Sequence, residues 1–199
     1  MGKIGVWLRE QPGKETLRMK YRIVYDSRTG NTQRVAGAIE KGLAAYTGAV
    51  CRIEEALEQG PDPETDVYFV GFWNDKGTCS EGVQGFLSRL HGTQAALFGT
   101  CGMGSSEAYF RQVEERVKAL LPEDCGYLGA FLCAGRMPAQ VLERYRKMQQ
   151  QEDSPRIRMM IRAYEDGQSH PDEADLAQAA AFAEAAMERA LAGKPNEKP

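Results

Sequence analysis

The run Val67–Phe72, "VYFVGF", is apolar almost throughout, and it limits the possible folds more than any other stretch of the chain. Successive side chains of an extended strand point to opposite faces of a sheet, so a run of this kind needs both faces covered. In a chain of 199 residues, long enough for one well-buried core, that condition points to a parallel sheet clad in helices on both sides.

The rest of the chain repeats the same theme. Short β-rich runs occur at "YRIVY" (21–25), "VCRI" (50–53), "AALFG" (95–99) and "YLGAFLCAG" (127–135). Between them apolar residues recur at helical spacing: Val35, Ala36, Ile39 and Leu43, then Val83, Phe86, Leu87 and Leu90, then Phe110, Val113, Val117, Leu120 and Leu121. After "VCRI" the sequence turns to the loop-like "EQGPDPETD". Five strands alternating with helices predict right-handed crossovers and a doubly wound, five-stranded parallel sheet.

A final helix is expected from "HPDEAD" onward, where Pro171 and the acidic residues suit an N-terminus, through Leu176, Ala180, Ala183, Met187 and Leu191. The interval 136–170 before it is too long for a plain connection. It reads as an insertion of two short helices, "PAQVLERYRKMQQQ" and "PRIRMMIRAYE", broken at Ser154–Pro155. Residues 1–18 read as an N-terminal extension ending before Met19, residues 19–192 as the domain, and 193–199 as a flexible tail.

Between the first strand and its helix stands "SRTGNT" (27–32). Ser27, Thr29 and Thr32 bring hydroxyl donors, Gly30 allows close backbone approach, and Asn31 tolerates unusual dihedrals. The helix that follows offers unpaired N–H groups and the positive end of its dipole, which together suit a phosphate dianion. The same residue types also serve as plain helix caps, and the loop alone does not separate the two readings. A Walker loop is absent, since no Gly-Lys-Ser/Thr occurs, and so is GxGxxG directly after the strand.

With its preceding strand and following helix, "SRTGNT" resembles the phosphate loop of the flavodoxin family, [ST]-x-T-G-N-[ST], at Ser27, Thr29, Gly30, Asn31 and Thr32. The strand–helix order of residues 19–135 and 171–192 is similar too. The resemblance implies non-covalent FMN and electron transfer at the cofactor's exposed edge, with Arg28 included in the phosphate loop. It places Phe72, Trp73, Asn74 and Gly77, in the loop after the third strand, beside the flavin ring, where Trp73 would stack or make edge contact. Thr100, Cys101, Gly102 and Met103, after the fourth strand, would border the pyrimidine end. Many flavodoxins carry a tyrosine in that second loop. None lies between Thr100 and Ala108 here, so Met103 or the inserted helices would cover the outer ring face.

The chain carries 25 Lys+Arg against 28 Asp+Glu, a balance that argues against nucleic acid as its main partner. No apolar run reaches membrane-spanning length, and Ile4–Leu8 is too short for a secretory signal. Five scattered cysteines, without CxxC spacing, read as reduced thiols of a cytoplasmic protein, with Cys79 and Cys101 as small loop fillers. His91 and His170 read as ordinary surface histidines, and no metal site is expected. Between 136 and 162 seven cations (Arg136, Arg144, Arg146, Lys147, Arg156, Arg158 and Arg162) face three acids, Glu143, Glu152 and Asp153. This excess suits either a docking surface or the solvated faces of two amphipathic helices, while Met148, Met159 and Met160 read as core fillers.

Three functions fit: an electron carrier between a reductase and a partner oxidoreductase, an FMN-dependent NAD(P)H oxidoreductase with the insertion as lid, or a binding module without flavin. No hydride-donor site, general base or catalytic triad is discernible, and the phosphate loop is intact, so the carrier leads.

Overall fold

A computed structural model describes residues 19–103 and 106–193. The expected extension at 1–18 and the tail from 194 onward lie outside the described residues, as do Gly104 and Ser105 of the second ring loop. The strands are β1 (Lys20–Tyr25), β2 (Thr47–Arg52), β3 (Val67–Trp73), β4 (Gln94–Cys101) and β5 (Gly126–Ala134). They form one sheet in the order β2-β1-β3-β4-β5, with every pair parallel. The helices are α1 (Asn31–Gly42), α2 (Ile53–Gln59), α3 (Glu81–Leu87), α4 (Glu107–Lys118), α5 (Ala139–Gln151), α6 (Pro155–Asp166) and α7 (Glu173–Gly193).

β3 sits at the centre, and its first six residues, Val67–Phe72, are all buried. Val67 and Phe69 join one core with Ile23, Phe98, Ile39 and the Ala179–Ala183–Ala186 side of α7. Tyr68, Val70 and Phe72 join the other, with Leu97, Phe86, Val113 and Val117 from β4 and helices α3 and α4. The alternation along one strand thus feeds two cores, as the apolar run requires. α1 and α7 approach closely through small residues: a Cβ on Gly42 would lie 2.7 Å from the Ala180 carbonyl oxygen.

Three features depart from the sequence reading. α2 occupies a stretch expected to be strand end and loop, and Ile53 opens that helix. Its two turns bury only Ile53 and Ala56, too short a periodicity to stand out. In β5 the pairing slips between Ala95 and Leu97, whose partners are Tyr127 and Ala130. Gly129 holds a φ of 109° at that slip, a backbone conformation that L side chains avoid. Finally, Met159 is 58% exposed and is no core filler. α6 buries Ile157 and Tyr164 instead, and Met159 projects away from that stripe.

The inserted helices α5 and α6 match the expected pair, including the break: Ser154 Oγ caps α6 by accepting from Ile157 N, with Pro155 in the first turn.

β3 and β4 fit by a reciprocal exchange. Gly71 faces Phe98 and Phe72 faces Gly99, so each ring lies over the glycine of the neighbouring strand. A Cβ on Gly99 would meet Phe72 Cζ at 2.7 Å. Gly99→Ala is expected to cost about 1–3 kcal/mol in urea unfolding, an overpacking penalty in a tight core. Gly37→Ala, in open space on α1, is expected to gain up to about 1 kcal/mol from helix propensity. Equal effects of the two substitutions would contradict this packing.

Candidate functional site

The carboxyl ends of β1, β3, β4 and β5 converge on one rim, where an α/β sheet of this kind binds its ligands. Gly30 is the N-cap of α1, left-handed at φ 85°, with no side-chain cap and no atom within 4 Å of where a Cβ would stand. A non-glycine residue would strain this turn. The helix is therefore not capped in the ordinary way by its own N-cap residue. Ser27 Oγ reaches forward to accept from Gln33 N at 3.3 Å.

The remaining loop residues divide by exposure. Arg28 and Thr29 stand in solvent, while Ser27, Asn31 and Thr32 are buried. Thr32, fully buried, shares a hydrogen bond with Thr100 of β4 at 3.0 Å. Asn31 Nδ2 donates to Thr29 Oγ1 at 3.0 Å and to the Arg136 carbonyl at 2.9 Å. No carboxylate lies within Ser27–Thr32. A left-handed glycine, hydroxyls and a helix N-terminus make a donor set that fits a phosphate dianion.

Trp73, expected in the loop, is instead the last residue of β3; it is half-buried, and its indole N–H donates to Asp26 Oδ2 at 3.1 Å. Ser80 Oγ donates to the same oxygen at 2.6 Å, and the Arg28 guanidinium lies 5.6 Å from the Trp73 ring centroid. Asn74 N donates to the Thr100 carbonyl, which joins the two ring loops through their backbones. The Asn74 amide also donates to Tyr109 Oη at 2.7 Å and accepts from Gly77 N at 2.9 Å. Asp75 and Thr78 exchange backbone bonds around Lys76 (φ 52°) and Gly77 (φ 94°), a tight hairpin turn that needs two left-handed residues. Phe72 and Cys101 have their side chains in the core, so only their backbones face the rim.

After β4, Gly102 and Met103 meet the insertion. A Cβ on Gly102 would lie 2.7 Å from Met137 Cγ, and Tyr145 Oη, on α5, donates to Met103 Sδ at 3.4 Å. Gly135 packs against the phosphate loop: its Cβ would stand 2.8 Å from Asn31 Nδ2. The expected loops thus lie at the carboxyl ends of β1, β3 and β4, with the Phe72 and Cys101 side chains turned into the core, and Asp26, Tyr109, Gly135, Arg136, Met137 and Tyr145 contact these loops. Asp26 and Gly135 carried a positional signal, the one directly following the first strand run and the other closing the fifth. Tyr109 and Tyr145 carried none, because their contacts cross between elements.

His170 is not a solvated surface histidine. Its Nδ1 lies 2.5 Å from Asp175 Oδ2, and its carbonyl accepts from Arg136 N at 2.9 Å. Asp172 and Asp175 exchange amide-to-carboxylate bonds at 2.9 Å and so cap α7. The bond from the Asp175 amide holds the Asp172 carboxyl below its ordinary value. The three ligand-type atoms lie within 4.8 Å of one another, and the reciprocal cap explains that grouping. His91, by contrast, pairs with Asp124 on the surface.

All five cysteines are free, and Cys51, Cys79, Cys101 and Cys133 are buried. Burial pushes the Cys79 thiol up to about 11 and the Cys101 thiol up to about 12. Thiolate is the reactive form, so the two ring-loop cysteines are poorly suited to redox exchange. Both should resist a disulfide reagent such as DTNB at pH 8 in the folded protein and react once urea unfolds it. Rapid labelling of either in the native state would contradict this burial.

A family model described as a flavodoxin domain matches residues 22–184. The "Flavodoxin-like domain-containing protein BilS" of Clostridioides difficile (strain CD3) is 32% identical over 174 residues, which cover 86% of this chain and 98% of that protein. The protein of the same description from Clostridium symbiosum (strain WAL-14163) is 34% identical over 173 residues, with coverages of 80% and 91%. Among solved structures, the flavodoxin WrbA-like protein from Agrobacterium tumefaciens matches with a TM-score of 0.55 at 14% identity, covering 88% of this chain and 99% of that one. At that identity the likeness concerns the fold alone. No described helix is long and apolar enough to cross a membrane.

Proposed function

The chain belongs to the flavodoxin family, and from that premise we propose that it holds FMN at the carboxyl rim and carries electrons between a reductase and a partner oxidoreductase. The observation that carries this reading is the Ser27–Thr32 loop: Gly30 left-handed at the head of α1, with the Thr29 side chain exposed beside it and no carboxylate among the six residues. Hydroxyls at Ser27 and Thr29, with the first-turn amides of α1, would hold the terminal phosphate. Trp73, Asn74 and Gly77 on one side and Thr100–Met103 on the other would border the ring. When bound, the flavin supplies the electron chemistry.

The chain's own part is to position and to shield. Asp26 fixes the Trp73 indole through its N–H, and Asn74 fixes the turn at Gly77. Tyr145 presses the insertion onto Met103 and limits water at that side of the rim. A lid-covered NAD(P)H oxidoreductase is the rival. The carrier is favoured because the sequence has neither a GxGxxG fingerprint nor a Walker loop to receive a nicotinamide pyrophosphate.

FMN should bind much more tightly than riboflavin, which lacks the phosphate, in a fluorescence-quenching titration. Thr29→Ala should weaken FMN binding by roughly 10- to 100-fold, since a charge-assisted hydroxyl bond contributes about 1.5–3 kcal/mol. Thr29→Ser keeps the hydroxyl and leaves the Thr32–Thr100 bond untouched, and should retain most of the affinity. Equal affinity for FMN and riboflavin would reduce the loop to a structural turn. Fast, saturable NAD(P)H oxidation by the isolated protein would favour the oxidoreductase.

A further inference from the structure

Building on the electron-carrier reading, we propose that the outer face of α5 and α6 is a docking surface for a redox protein whose own contact face is acidic around an apolar centre. From the root at Arg136 to the end of α6 at Asp166, seven exposed cations stand against five acids, Glu143, Glu152, Asp153, Glu165 and Asp166, a small positive balance. The chain as a whole has a net charge of -3, so this excess is concentrated here against the prevailing sign. Such a local field steers an oppositely charged protein and fixes its orientation.

The apolar centre is Met159, the one large apolar side chain exposed among the described residues, at 58%. On α6 it follows Arg156 by three positions and precedes Arg162 by three, so the three side chains share one helix row. The row lies away from the buried Ile157 and Tyr164. A flexible thioether between two guanidinium groups matches the centre and rim of a transient protein interface. Arg158 is partly neutralised by Asp153 at 2.6 Å, whereas Arg156 and Arg162 make no ion pair among the described residues.

Position strengthens the assignment. The insertion is rooted at the rim by the Arg136 carbonyl on Asn31, by Met137 against Gly102 and by Tyr145 on Met103. A protein seated on α5 and α6 would therefore adjoin both the phosphate loop and the second ring loop. A nucleic acid or an anionic membrane would use the cations but has less use for a single central methionine. An acidic protein uses both.

The test is association of the FMN-loaded chain with a small acidic [2Fe–2S] ferredoxin carrying a fluorophore remote from its cluster, read by anisotropy. Binding should weaken steeply with salt, because exposed charges are screened beyond about 8 Å at physiological ionic strength. Arg156→Glu with Arg162→Glu should weaken it by about tenfold or more, while Lys41→Glu, an exposed cation at the far end of α1, should change it less than about twofold. Met159→Ser should weaken binding at low and high salt alike, since no charge is removed. Because both arginines are exposed, thermal unfolding should be unchanged in the variant. Association needs no electron transfer and can be repeated on flavin-free chain, so loss of the FMN reading leaves this measurement standing. No ferredoxin binding at low salt, no effect of the charge reversal, or tighter binding to duplex DNA or phosphatidylglycerol vesicles would overturn the proposal.

Discussion

A fully buried hydroxyl must find a partner, and the rim is organised around the one that Thr32 finds. Thr32 stands in the first turn of α1 with no exposure, and Thr100, at the end of β4, meets it at 3.0 Å. An unpaired buried hydroxyl would cost about 1–3 kcal/mol. This bond therefore fixes the start of α1 against a strand two places away in the sheet. Asn31, its neighbour, extends the tie to the Arg136 carbonyl just beyond β5. Two consecutive residues thus lock the phosphate loop to β4 and to the root of the insertion. Gly30 keeps its left-handed turn within that frame.

The two ring loops are joined in the same manner. The Thr100 carbonyl that accepts from Asn74 N belongs to the residue whose hydroxyl meets Thr32. Through one residue of β4, the phosphate loop and the loop after β3 share an anchor. The second ring loop lacks a tyrosine between Thr100 and Ala108. Tyr109, the next residue, turns to Asn74 in the first ring loop, and Tyr145 reaches Met103 from the insertion. Aromatic side chains thus brace the region from outside the second loop.

Local features of this arrangement were legible in the sequence. Strand runs such as Val67–Phe72 are visible because burial on both faces leaves no room for polar residues. The Ser27–Thr32 loop is visible because its small polar residues fill six consecutive positions between a strand and a helix. The broken pair α5 and α6 is visible because Ser154–Pro155 is both a cap and a stop. Features that depend on sheet order were not. The slip at Gly129 depends on how β5 registers on β4, and the Thr32–Thr100 bond on which strands are brought together. His170 looked solitary because its partner Asp175 sits across a turn. Met159 looked like core because a methionine in an amphipathic helix usually is, and only the position of Ile157 and Tyr164 reveals the face it occupies.

The insertion combines a constrained root with an unconstrained outer face. Arg136 N donates to the His170 carbonyl, so the segment leaves and rejoins the domain at one point. Its closure entropy grows only slowly with length, so a pair of helices can be carried there at small cost to the sheet. At the root, Gly135 leaves no space for a Cβ against Asn31, and any shift there is transmitted to the phosphate loop. At the outer face, Arg156, Met159 and Arg162 touch none of this, and substitutions there leave both cores intact. Changes at the root therefore act on the Ser27–Thr32 loop, whereas changes on the outer face leave that loop in place. The single segment separates these two effects because its inward contacts are backbone bonds and the buried side chains Tyr145, Ile157 and Tyr164, whereas its outward charges are long, solvated side chains.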